Sequence, residues 1–231
     1  DALLSRGLGD VYKRQGLGDI ELGRFSIPFT IFCVVGLMNA FNMSDGLNGI
    51  CASFALVPLI FLMLFGHIKF GLLIPIGALM GFLAYNLGYL GKKRGVFLGD
   101  SGSNYIGFVV AMLCVNYSQT ELTINPVTAL WFVALPLLDC IGVMTSRLLK
   151  GVMPFRPGRD HLHHKLLDLG LKPKYILYLF IVTSIGLCAV GCLFQIVYPN
   201  QEYISFYSFI CFTVFYYTIT KIQLGKNVKS I

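Results

Sequence analysis

The chain has 231 residues, 56% of them hydrophobic and only 13% charged, with a mean hydropathy of +0.73. A soluble domain carries about a quarter charged residues, so the composition excludes an ordinary soluble protein and predicts an all-α, polytopic transmembrane helix bundle. The formal net charge of +7 in so apolar a chain marks loops beside anionic lipid and anionic substrates, with no nucleic-acid partner expected.

The first residues stand apart from the rest. Ser5–Gln15, SRGLGDVYKRQ, reads as one frame of a transposon-type sequencing adapter. Residues 1–15 are therefore set aside, and residues 16–231 are taken as one membrane domain. A bilayer needs roughly 17–25 residues per helix. The apolar runs then give seven spans, approximately Phe25–Met43, Ile50–Gly66, Phe70–Leu90, Asn104–Tyr117, Val127–Arg147, Tyr175–Tyr198 and Tyr203–Thr220. The fourth is short, which calls for tilt or for extension into its flanking loop. Gly77 and Gly81 form a small-xxx-small pair that permits close helix approach. Pro58, Pro75 and Pro136 fall inside spans, where kinks are tolerated if neighbours satisfy the freed carbonyls. The seven cysteines show no CxxC spacing and read as small core residues, not as disulfides or metal ligands.

Orientation follows from the basic residues. The loops after spans one, three and five, with the C-terminal tail, hold twelve Lys and Arg, whereas the opposite loops hold only Lys69. That asymmetry places the first set in the cytoplasm. Three polar islands interrupt the apolar pattern, Asn39–Gly49, Gly99–Ser103 and Arg156–Gly170, and all three belong to the cytoplasmic set. They are expected to meet on one face.

In NAFNMSDGLNG, Asn39, Asn42 and Asp45 recur every three residues and lie roughly on one side of a helix end. Their oxygens suit Mg²⁺, a sugar or a uridine ring; the plain alternative is ordinary helix capping. In GDSGSNYIGF, Asp100 stands in a Gly/Ser turn opening a helix. That arrangement suits a metal or phosphate site and equally a simple N-cap. RPGRDHLHHKLLDLG supplies Arg156, Arg159, His161, His163 and His164. So many charges cannot lie in hydrocarbon, so the segment is expected to face solvent against the membrane. Arginines amid the histidines would repel a metal and favour a diphosphate, which a guanidinium grips with paired donors, so diphosphate is preferred to zinc. Asp139 lies in an apolar run, PLLDC. An ionisable group there is a functional candidate, although a helix-to-helix hydrogen bond is the favoured reading.

In this order and on one membrane face, these three motifs resemble the polyprenyl-phosphate N-acetylhexosamine-1-phosphate transferases, glycosyl transferase family 4. Within that family they are most similar to the bacterial undecaprenyl-phosphate N-acetylglucosamine-1-phosphate branch. The Arg-bearing HLHH, where the muramoyl-pentapeptide branch has three consecutive histidines, argues against that branch. The likeness runs from Gly16 to the tail.

The resemblance implies transfer of N-acetylhexosamine-1-phosphate, here N-acetylglucosamine-1-phosphate, from a UDP-sugar to polyprenyl (undecaprenyl) phosphate, releasing UMP. The cofactor it implies is Mg²⁺, with Mn²⁺ as an alternative. The implied setting is the bacterial inner membrane with the site facing the cytoplasm, at the first membrane step of a cell-envelope polysaccharide such as lipopolysaccharide O-antigen. The partners it brings are UDP-N-acetylhexosamine, polyprenyl phosphate, the lipid bilayer and a second copy of the chain.

By the same resemblance, Asp100 is a metal ligand with Asn42 as a second oxygen donor. Asp45 and Asn39 line the pocket, and Arg159 with His161, His163 and His164 holds the diphosphate. The catalytic set is Asp45, Asp100, His161, His163 and His164. Two departures stand out. Asn48 occupies a position where the family has a second Asp, and an adjacent Asp pair expected in an earlier loop has no counterpart here. The expectation is an N-terminally truncated polypeptide, inactive by itself. A membrane transporter is the second reading and a zinc hydrolase the third. The transporter predicts midplane polar residues and inverted repeats, whereas the polar groups here concentrate at one surface.

Overall fold

The computed structural model describes residues 23–65, 70–91, 95–154, 158–199 and 201–220, and these hold helices and loops but no strand. The adapter reading of residues 1–15, Arg156 and the basic stretches 92–94 and 221–231 lie outside the described residues. A 3₁₀ turn, Gly23–Phe25, leads into α1 (Ser26–Ser44). Then come α2 (Ile50–Phe65), α3 (Phe70–Asn86), α4 (Gly99–Val115), α5 (Pro126–Phe132) and α6 (Ala134–Leu149). The short α7 (Leu162–Asp168) precedes the long α8 (Pro173–Val197) and α9 (Glu202–Thr218).

Each predicted apolar run is helical, but the runs differ in length. Gly23–Ser44 and Pro173–Val197 are each long and apolar enough to cross a membrane, and α5 with α6 makes a third only as a pair bent by 78°. The helices α2, α3, α4 and α9 have 16 or 17 residues. At 1.5 Å per residue that is about 25 Å, against a hydrocarbon core of about 30 Å. The start of α4 at Gly99 carries the fourth run into the second polar island.

The bend at Val133 has a local cause. Pro136 has no N–H to offer the Phe132 carbonyl four residues back. The buried Cys188 thiol of α8 donates to that carbonyl instead, at 3.7 Å. A neighbour satisfies the freed group, as the proline reading requires.

The small-residue contact lies elsewhere than expected. A Cβ at Gly77 or Gly81 would meet nothing within 4 Å. Close approach occurs instead at Gly107 of α4, where a Cβ would fall 2.8 Å from the Met38 backbone and 3.1 Å from Phe41. That glycine lets α1 and α4 pack more extensively than any other pair. The core between the helices is apolar, with Phe41, Ile50, Leu62, Val110 and Ile176 fully enclosed. Ile31, Phe32, Ile74, Val182, Leu193 and Phe215 face outward, an apolar exterior that lipid would cover.

Candidate active site at one end of the bundle

The end of α1 meets the start of α4 through one amide. Asn42 Nδ2 donates to Ser103 Oγ at 3.2 Å and to the Asp100 carbonyl at 3.4 Å. Ser103 is wholly buried and its hydroxyl reaches back to the Gly99 and Asp100 carbonyls, both at 3.1 Å. Gly107, one turn further along α4, permits this approach. The chain leaves α1 at Asp45, and both Asp45 and Asp100 are exposed at this end. Packed surroundings first, and then the negative charge of Asp100, hold the Asp45 carboxyl above its usual range. Two carboxylates therefore oppose one another where the first and second islands join.

The third island folds down onto the same place, so the expectation that it faces solvent holds only in part. Gly158, Arg159 and Asp160 are exposed, but His161 and His163 are buried at 6% and 2%. The reason is that His161 bonds to Asp139 of α6 while the short α7 lays His163 on Gly46, just past the end of α1. The His163 imidazole lies against Gly46, and a methyl group there would overlap the ring. Glycine is required by this approach of a side chain to the backbone. Islands one and three thus touch directly.

The rings of His161 and His163 stack at 5.8 Å and 9°, and those of His163 and His164 lie 4.2 Å apart. Burial first, then the His164 and His161 charges, push the His163 imidazole down to about 4 against the pull of Asp139. Burial and then Arg159 lower His164 as well. At neutral pH the His163 and His164 rings are uncharged and serve as hydrogen-bonding groups. His163 Nε2 and His164 Nδ1 are buried with no hydrogen-bond partner. A small cavity of about 10 Å³, room for about one water, lies between Ser44, Phe54, Leu135, Asp139, Leu162, His163 and Phe180.

Asp139 holds this segment. Its Oδ2 accepts from His161 Nδ1 at 2.9 Å, and its Oδ1 accepts from the Leu162 amide at 2.9 Å and the Tyr216 hydroxyl at 3.4 Å. The helix-to-helix reading captures only the last of these. Arg147 lies outside every motif, yet it anchors the loop. It is 5% exposed; its Nε binds Asp160 at 3.0 Å and its Nη1 binds the Pro154 carbonyl at 2.8 Å. Its signal in the sequence is an arginine in the last turns of an apolar helix, 13 residues before an aspartate.

The remaining predicted residues sit as follows. Arg159 pairs with Asp168 at 2.9 Å, exposed, and its charge reaches His164. Asn39 donates to the Val35 carbonyl of its own helix at 2.9 Å, and among the described residues no hydrogen bond joins it to the other islands. Asn48 is exposed. Among the described residues no group of three or more His, Cys, Asp or Glu is arranged to hold a metal ion. The oxygen-rich set at this end is Asn42, Asp45 and Asp100.

Comparison with known proteins bears on this geometry. Residues 3–118 match the model of glycosyl transferase family 4. The chain is 34% identical over 226 residues to the undecaprenyl-phosphate alpha-N-acetylglucosaminyl 1-phosphate transferase of Escherichia coli, covering 94% of this chain and 61% of that protein. The enzyme of the same name from Salmonella typhimurium is 38% identical over 192 residues, 80% of this chain and 52% of that one. The one from Haemophilus influenzae is 34% identical over 235 residues, 95% and 65%. The chain thus spans about 52–65% of the length of these relatives.

Proposed function

The chain is a member of glycosyl transferase family 4, and from that membership we propose that it carries the site of an N-acetylglucosamine-1-phosphate transfer from UDP-N-acetylglucosamine to undecaprenyl phosphate. The observation that supports this most is the meeting of three sequence-distant islands: Asn42 on Asp100 and Ser103, Asp45 opposite Asp100, and Gly46 against His163. The names of the relatives supply the donor group and the lipid acceptor.

The chemistry is a displacement at phosphorus. An oxygen of the lipid phosphate attacks the sugar-side phosphorus of the diphosphate, the bridging P–O bond breaks, and its electron pair leaves with UMP. Attacker and target are both anions, so the site must lower their repulsion and stabilise the leaving phosphate.

The fit of a divalent cation rests on the acid pair. Asp45 is held protonated more than usual partly because Asp100 faces it, and a hard cation between hard oxygens relieves such opposition. Asp100, Asn42 and Asp45 would hold Mg²⁺, or Mn²⁺ in its place. That ion supplies charge neutralisation for the reacting phosphates. Asn42 turns its NH₂ to the Asp100 carbonyl and Ser103, which leaves its oxygen for the ion.

Arg159 is exposed and its partner Asp168 is too, so the pair exchanges readily for a diphosphate. His161, His163 and His164 turn imidazole nitrogens to the same anion, those of His163 and His164 uncharged. The site faces the cytoplasm of a bacterial inner membrane, reached by seven crossings that include the shorter helices, and serves a cell-envelope polysaccharide such as O-antigen; a homodimer is its assembly. A transporter is not favoured, because the acids and histidines of the islands gather at one end of the bundle.

The test is lipid-dependent UMP release. Membranes bearing the full reading frame that carries this chain are given UDP-N-acetylglucosamine, undecaprenyl phosphate and Mg²⁺. Release of UMP with formation of a lipid-linked sugar is expected. Absence of lipid-dependent release with any UDP-N-acetylhexosamine would remove the proposal.

A further inference from the structure

We propose that Asp139 is the positioning residue of this site, fixing the tautomer and aim of His161 and starting the helix that carries His163 and His164. The buried setting comes first. Asp139 lies in an apolar run of α6 with its side chain 14% exposed, and an uncompensated carboxylate there would be strongly unfavourable. Its compensation comes from outside α6: a ring N–H and a backbone N–H from the histidine segment at 2.9 Å each, and a phenol from α9 at 3.4 Å.

The histidine helix needs that carboxylate. The residue before α7 is His161, extended at φ −67° and ψ 153°, and no side chain there caps the helix. Helix starts normally take Ser, Thr, Asp or Asn at this place. Here the Leu162 amide is served by an acid 23 residues earlier in the chain. α7 therefore begins where α6 allows it to begin.

The tautomer follows from donor and acceptor counting. An ionised carboxylate only accepts, so the His161 Nδ1 facing it carries a proton, and the neutral ring in this place is the Nδ1–H tautomer with Nε2 as its acceptor. His161 stacks on His163, and His163 lies on Gly46 of the first island. The orientation set at Asp139 passes by ring contact to the place where Asp45 leaves α1. A glue-like bond between two spans would need only the Tyr216 contact, which is the longest of the three.

Asp139→Asn separates these roles. The Leu162 amide is a fixed backbone donor, so the asparagine oxygen must face it. The NH₂ then faces His161 Nδ1, which must give up its proton and move it to Nε2. ¹⁵N-histidine NMR of the chain in nanodiscs reads this directly and needs no activity. The expected wild-type spectrum has a Nδ1–H His161, shifting to Nε2–H in Asp139→Asn.

On the premise of the proposed transfer, kcat of the full-length form falls by about 10²-fold with KM within about threefold, the size seen when an orienting outer partner is lost. Tyr216→Phe, which removes only the longest bond, keeps the wild-type tautomer. A wild-type His161 in the Nε2–H form would overturn the assignment even if Asp139→Asn does not fold. So would folded Asp139→Asn with kcat within about threefold of wild type. If the wild type shows no lipid-dependent transfer, the proposed function fails and the spectrum still decides the role of Asp139.

Discussion

The two ends of the bundle use polar groups in opposite ways. Away from the islands, Gln195 of α8 accepts from the Asn125 amide at 3.0 Å and donates to the Thr123 carbonyl at 2.8 Å. The Trp131 indole donates to Ser205 at 3.1 Å, amid Phe194, Phe209 and Phe212. These contacts pair donor with acceptor and staple α5, α8 and α9 together. At the island end, two carboxylates oppose each other and buried imidazole nitrogens have no partner. A satisfied network rigidifies a fold, whereas buried polar groups left open call for a functional account. The contacts named at the first end join helices, whereas the open imidazole nitrogens of His163 and His164 at the second are what the proposed site requires.

Substitutions at each end sharpen that contrast. Asp100→Asn should lower transfer by about 10²–10³-fold or more, the scale of removing one charge-stabilising group, while leaving thermal stability unchanged or raised as its opposition to Asp45 disappears. UMP release and a melting curve check both halves. Gly46→Ala forces a methyl into the His163 ring, so both activity and stability fall, the latter by about 1–3 kcal/mol for overpacking.

At the other end, Gln195→Ala strands the Asn125 amide and the Thr123 carbonyl. It should cost about 1–3 kcal/mol yet leave the His161 NMR spectrum and KM as they are. A shifted KM would break the division between the two ends.

Acid gives a smaller, graded effect. The folded His163 pKa is about 4, below an unfolded value of about 6.5. Across that window the unfolded chain binds more protons. Stability from this residue is therefore complete above about pH 6.5 and lost as pH falls toward 4. His163→Gln should flatten the pH dependence of melting. Smallest of all, Asp168→Asn frees Arg159 from an exposed partner. It should tighten UDP-N-acetylglucosamine binding by about two- to fivefold at low salt, since such pairs are worth under about 1 kcal/mol. Calorimetric titration reads the change.

Much of the fold was visible in the residue order. Every predicted apolar run is helical, the fifth as two helices, and the short fourth run does extend into its flanking island, beginning at Gly99. The lengths were less visible. The run Val127–Arg147 reads as one span, but Pro136 deprives Phe132 of its partner, and the pair bends where α8 offers a thiol. The candidate site was visible as three islands, since polar residues in an apolar chain are conspicuous. Arg147 was not conspicuous, and Asp139 was conspicuous but its partner was not, because one charge inside a helical run looks alike whether it staples two spans or holds a loop. Gly77 and Gly81 show the converse failure: spacing suggests a contact face, but which face a helix turns inward is decided by its neighbours.

Hydropathy and charge are read residue by residue, so the sequence by itself determined that this chain is helical and apolar enough for a membrane, and which polar segments share a face. Contacts between helices depend on how closely two surfaces approach, and only packing decides that. The glycine at 107 lets α1 and α4 approach where Asn42 meets Ser103, the glycine at 46 admits His163, and Asp139 of α6 reaches His161. Those distances join residues 22 to about 120 positions apart, a range over which no local pattern carries information.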